Sequence, residues 1–167
     1  MSQPHDPFQN LPDSARLWLV ALDRPLSGEA RARLQEGMEA ILGQWRHKGH
    51  AYQGAFALVR DRILAVAEPD LASAPSGCAI DGMLRKVRHL VAGLDLGEVD
   101  AASAVLVDAG GLRAVPKAEL EARLQDGSLG PDTPVLDLSL YTVGDLRAGK
   151  LEAPLARTWI GRKFKVA

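Results

Sequence analysis

Two stretches of helical periodicity bracket a pair of short apolar runs, and this arrangement constrains the fold more than any other feature of the chain. From Ser27 to Lys48, Ala30, Leu34, Met38, Ile41, Leu42 and Trp45 recur at helical spacing, with charged and amide side chains between them. From Ser76 to Leu94, Ile80, Met83, Leu84, Val87, Val91 and Leu94 form a second stripe. One apolar stripe per helix means one buried face per helix. Between the helices, Ala55 to Val59 and Ile63 to Ala67 flank Arg60-Asp61-Arg62. That is a hairpin pattern, although its turn lacks the usual glycine. Ahead of the first helix, Ala15 to Leu22 is apolar except for Arg16, as in a strand buried on both faces. Ala104 to Val107 follows the second helix as a further strand.

The order from Ala15 to Val107 is therefore β-α-β-β-α-β. It predicts an α+β, ferredoxin-like core in which two helices cover one face of an antiparallel sheet. A C-terminal extension follows. Ala104 to Val107 and Leu112 to Val115 flank Asp108-Ala109-Gly110-Gly111 as a second hairpin. Lys117 to Gln125 reads as a short helix with Pro116 at its start and Gly127 beyond its end. Pro134 to Leu140 reads as a last strand, and Thr142 with Asp145 opens a short helix ending near Gly149. The expected organisation is a flexible arm over 1–12 and a single domain over 13–167, divided into a core (13–108) and an extension (109–167).

Composition narrows the function classes. The 167 residues carry 20 basic and 21 acidic side chains, a net charge of -1, so bulk electrostatics give nucleic-acid binding no support. Aromatic residues are 5%, too few for a stacking platform along a single strand. A single cysteine cannot form an internal disulfide, which fits a reducing, cytoplasmic setting. No apolar run approaches the ~20 residues that span a bilayer, and the polar stretch from Met1 to Asn10 lacks the apolar core of a secretory signal. The expected partners exclude nucleic acid and membrane.

The sharpest chemical feature is Pro75-Ser76-Gly77-Cys78-Ala79-Ile80-Asp81-Gly82. With Ser76 as N-cap, Cys78 falls in the first helical turn, where the helix dipole and unpaired N–H groups favour the thiolate. At ~100° per residue it faces away from the apolar stripe. Gly82 lies one turn further on with Asp81 beside it, and Arg85 and His89 follow at later turns. Cys78 is thus a candidate catalytic thiol, and Ser76, Gly77, Asp81 and Arg85 are candidate ligand-binding residues, the helix start being a generic anion site. The bland alternative is a small cysteine tucked beneath the preceding loop. Arg24, leaving the first strand in Asp23-Arg24-Pro25, is a further ligand-binding candidate beside its plainer reading as a solvated turn residue. His5, His47, His50 and His89 have no partners at metal-ligand spacing, so neither metal nor cofactor is expected. There is no phosphate-loop pattern, no G-x-G-x-x-G after a strand and no G-x-S-x-G elbow.

Several pieces resemble a family of small bacterial proteins of no settled activity, often labelled "ABC transporter ATPase" by automatic transfer. These are Ala15-Arg16-Leu17-Trp18, Arg24-Pro25-Leu26, Ser76-Gly77-Cys78-Ala79-Ile80-Asp81, Asp132-Thr133-Pro134-Val135 and Trp159. The label implies nucleotide hydrolysis, whereas the chain lacks the lysine-bearing phosphate loop and the transporter signature that such hydrolysis needs. Gly77-Cys78-Ala79-Ile80-Asp81 is also similar to the cysteine-bearing helix start of OsmC-type thiol peroxidases, which would make Cys78 peroxidatic. Leu120 to Val135, with Leu124, Gly127 and Pro131-Asp132-Thr133, is similar to the end of GYF-like peptide-binding modules, without their Gly-Tyr-Phe residues. The function expected is a non-catalytic binding or interaction protein whose partner is a protein or a small anionic ligand. The alternative is a thiol-dependent enzyme or redox sensor acting through Cys78.

Overall fold

The computed structural model describes residues 6–47, 50–51, 54–68 and 77–167. The fold is mixed α+β with antiparallel sheets. The chain divides into two compact units, residues 1–98 with 141–144 and residues 99–140 with 145–167.

In the first unit, β1 (Arg16–Ala21) is followed by α1 (Gly28–Gly43) and a short ladder of β2 (Arg46–His47) with β3 (His50–Ala51). Then come β4 (Ala55–Val59), β5 (Ile63–Glu68) and α2 (Gly77–Gly93). The sheet order is β1-β5-β4, antiparallel throughout. β5 is central and buried at every position, which is why its sequence shows no alternation. Register places Trp18 opposite Val66 and Val20 opposite Leu64, with Phe56 and Leu58 on the far side of the same pairs. These side chains share one face and pack against Leu34, Met38 and Leu42 of α1 and Met83, Val87 and Val91 of α2. Both helices therefore cover one face of this sheet.

The β4–β5 turn runs through Arg60 (φ 52) and Asp61 (φ 58). Two left-handed residues are what a tight hairpin turn requires, and neither is glycine. Tertiary contacts hold the conformation. The Leu26 N–H donates to the Asp61 carbonyl at 2.7 Å, and Arg31 pairs with the Asp61 carboxylate at 2.5 Å. Buried Arg62 donates to the Leu22 and Asp23 carbonyls at 2.7 and 2.9 Å.

Two expectations change. The first helix ends at Gly43 rather than near Lys48, where a low-propensity glycine is followed by Gln44 as C-cap. Trp45 still enters the core, from the segment beyond the helix. The strand at Ala104–Asp108 does not close the first sheet. A two-residue turn joins it to its neighbour, and local hairpin pairing takes it into the second unit. The outer edge of β1 instead meets isolated bridges, Leu22 with Glu98 and Arg16 with Thr142.

The second unit contains β6 (Ala104–Asp108), β7 (Gly111–Val115), α3 (Lys117–Gln125) and β8 (Pro134–Leu136). α4 (Val143–Arg147) begins in the first unit and ends in the second, and β9 (Glu152–Pro154), a 3-10 turn (Leu155–Arg157) and α5 (Trp159–Phe164) complete the second. Its sheet order is β7-β6-β8-β9. Its core gathers Leu106, Val115, Leu120, Val135, Leu155 and Ile160. The α5 helix, which periodicity alone does not announce, starts from Thr158. That buried hydroxyl accepts from the Ile160 N–H and donates to the Leu155 carbonyl.

Candidate binding site between two helices

The site lies within the first unit, where α1 and α2 run side by side on the sheet. Their approach is set by Gly37. A Cβ on that residue would fall 2.5 Å from Cδ1 of Leu90, so with any other residue the Leu90 side chain would have to turn aside. Outward of this contact is a groove of about 460 Å3 lined by Gly37, Ile41, Leu90, Arg85, Lys86 and His89. A smaller lobe of about 220 Å3 adjoins it, lined by Gln44, Trp45, Ala79, Gly82 and Met83. Ile41 and Lys86 border both lobes.

The floor is apolar and fixed. Trp45 is buried, its indole N–H donates to the Ala79 carbonyl at 3.1 Å, and its ring meets Trp18 edge-on at 5.8 Å. That hydrogen bond ties the segment after α1 to the first turn of α2. The rim is basic. Arg85, Lys86 and His89 are exposed, and their side chains make no hydrogen bond or ion pair among the described residues. Arg88, on the flank away from the groove, is engaged differently. Its Nε donates to Glu98 at 2.8 Å, and this hydrogen bond, with the charge of Glu98, raises its pKa. An apolar floor beside the uncommitted charges of Arg85 and Lys86 is suited to an anionic group carried on an apolar body.

A second cavity, about 500 Å3, lies between α1 and β4 and is lined by Leu34, Phe56, Leu58, Arg31 and Gln35 among others. Its arginine is already committed to Asp61. Elsewhere in this unit Arg16 stacks over Tyr141 at 3.8 Å and lies 5.2 Å from Trp18, directly across the ladder from buried Glu68.

The sequence candidates are distributed as follows. Ser76 lies outside the described residues. Gly77 and Cys78 are described as backbone only, in the first turn of α2, and the orientation of the thiol lies outside the described residues too. Asp81 and Arg85 are exposed on α2 at successive turns, and Arg85 lines the groove. Arg24 is at the opposite end of that helix, its guanidinium donating to the carbonyl of Asp95 just past the C-terminus. A cation suits that end of a helix. Some 15 residues of helix, ~22 Å at 1.5 Å per residue, separate it from Cys78. The structure thus brings Arg85 together with Lys86, His89, Ile41 and Leu90, and leaves Arg24 apart. Sequence reasoning missed Gly37 and Leu90. Lys86 was missed as well, and Leu90 sits at the edge of the apolar stripe, seven residues after Met83 and three after Val87, a spacing that was the available signal. Among the described residues no group of three His, Cys, Asp or Glu could hold a metal ion, and no helix is long and apolar enough to cross a membrane. No family model matches the chain, and neither a curated protein nor a solved structure matches it.

Proposed function

We propose that this is a non-catalytic binding protein acting in the cytoplasm, and that its first unit holds an anionic ligand in the groove between α1 and α2. The observation that carries the reading is the apolar groove rimmed by Arg85, Lys86 and His89 without ion-pair partners among the described residues. Charged groups beside a dry surface attract an anion, while the floor supplies the larger share of binding through apolar burial. In the same proposal, the first unit is a ferredoxin-like core reduced to three strands. The Glu98 bridge to Leu22 stands where a fourth strand would lie beside β1.

The test is binding of anilinonaphthalene sulfonate, a fluorescent apolar anion, to the intact protein. Saturable binding is expected, weakened several-fold in Arg85→Ala with Lys86→Ala and unchanged in Arg113→Ala, whose side chain pairs with Glu119 in the second unit. Equal binding by all three proteins, or none by the wild type, contradicts the proposal. Rapid peroxide consumption by the wild type that vanishes in Cys78→Ser would replace it with the thiol enzyme.

A further inference from the structure

Gly82 is the one glycine inside these two helices with no local reason to be there. Gly28, Gly43, Gly77 and Gly93 stand at helix ends, and Gly37 admits Leu90. Gly82 lies in the body of α2 with no left-handed conformation, and a Cβ built on it would meet nothing within 4 Å among the described residues. A glycine there weakens the helix relative to alanine. What it does provide is open space in the smaller lobe, against Trp45 and Met83. Arg85 and His89 line only the larger lobe, Lys86 borders both, and Gln44 lines the smaller one beside Trp45, Ala79 and Met83, so two of the three basic side chains stand at one end of the groove. Measured along α2 from Leu90 to Ala79, it is ~16 Å long. The two volumes meet at Ile41 and Lys86 rather than merging into one broad cavity. A fused ring system filling the larger lobe would leave the smaller one empty, whereas an unbranched chain fits both. The stem of Lys86 can lie along such a chain with its ammonium in water.

We propose, building on the reading that this groove binds an anion, that its ligand is a single-chain amphiphile of the long-chain carboxylate class. The carboxylate sits among Arg85, Lys86 and His89, and the chain runs past Ile41 into the gap at Gly82, ending against Trp45. Each methylene that enters the groove adds apolar burial, so affinity rises with chain length until the gap is filled.

The experiment titrates the full protein with hexanoate and dodecanoate in competition with anilinonaphthalene sulfonate, for the wild type and for Gly82→Leu. Leucine at this site has space and improves helix propensity, so the variant folds, as its circular dichroism checks. Dodecanoate is expected to bind at least tenfold more tightly than hexanoate. Gly82→Leu should lose at least tenfold in dodecanoate affinity and most of the preference for dodecanoate over hexanoate. In the wild type, ω-bromododecanoate should quench tryptophan fluorescence more than α-bromododecanoate. Probe binding without chain-length dependence, an unaffected Gly82→Leu, or equal quenching by the two bromo acids overturns the amphiphile and leaves the anion site standing. Binding to anionic phospholipid vesicles without binding of free dodecanoate overturns it as well. Failure of the wild type to bind the sulfonate probe at all defeats the underlying reading.

Discussion

At the residue scale, the first unit depends on two glycines used in opposite ways. At Gly37 the absent Cβ lets a neighbour in, and at Gly82 it leaves a space unfilled. Gly82→Ala should therefore raise stability by about 1 kcal/mol through helix propensity alone, read as a higher midpoint in a urea titration. A lower midpoint would mean that the space is not open. Single-residue electrostatics can be tested in the second unit. The Ser128 hydroxyl and N–H both donate to the Asp126 carboxylate, at 2.6 and 2.8 Å, and hold its pKa below the ordinary carboxylate value. A carboxyl whose folded pKa is lowered stabilises the folded state above its unfolded value, ~3.9, and that contribution is lost as the pH falls through the lower folded value. Carboxyl chemical shifts followed through the acid range should show Asp126 titrating low and moving upward in Ser128→Ala. An unchanged titration in the variant would remove Ser128 as the cause.

At the scale of elements, the helices and hairpin of the first unit were legible because each carries its own period. Leu34, Met38, Leu42, Met83, Val87 and Val91, all on the expected stripes, are buried. Ile41 and Leu84 are on those stripes as well, but only half-buried, because the stripe is wider than the surface the sheet offers. Leu34→Ala should accordingly destabilise by about 2–5 kcal/mol, and Ile41→Ala by clearly less. Equal losses in a denaturant titration would place Ile41 in the core and not in the groove. The fate of β6 was not legible. Its residues suit either sheet, and the choice is made by the short turn to β7, which keeps pairing local. The candidate site was legible in fragments. Arg85 and Gly82 stood out beside Cys78, but their meeting with Ile41 and Leu90 depends on how closely two helices pack. Single-helix periodicity says nothing about that distance.

At the scale of the whole molecule, two compact units each enclose a hydrophobic core. The net charge of -1 makes the uncommitted cations on the first unit a local feature rather than a reflection of overall basicity. Binding to them should weaken with salt, because exposed charges are screened over ~8 Å at physiological ionic strength, while the apolar share of binding persists. A groove location is tested most directly by amide chemical-shift mapping of nitrogen-labelled full-length protein during titration with anilinonaphthalene sulfonate. The shifts should concentrate on residues 37–45 of α1 and its following segment and on 79–90 of α2, and shrink in the protein carrying Arg85→Ala with Lys86→Ala. Shifts centred on β4 and Arg31, shifts centred on the second unit, or no shifts at all would contradict it.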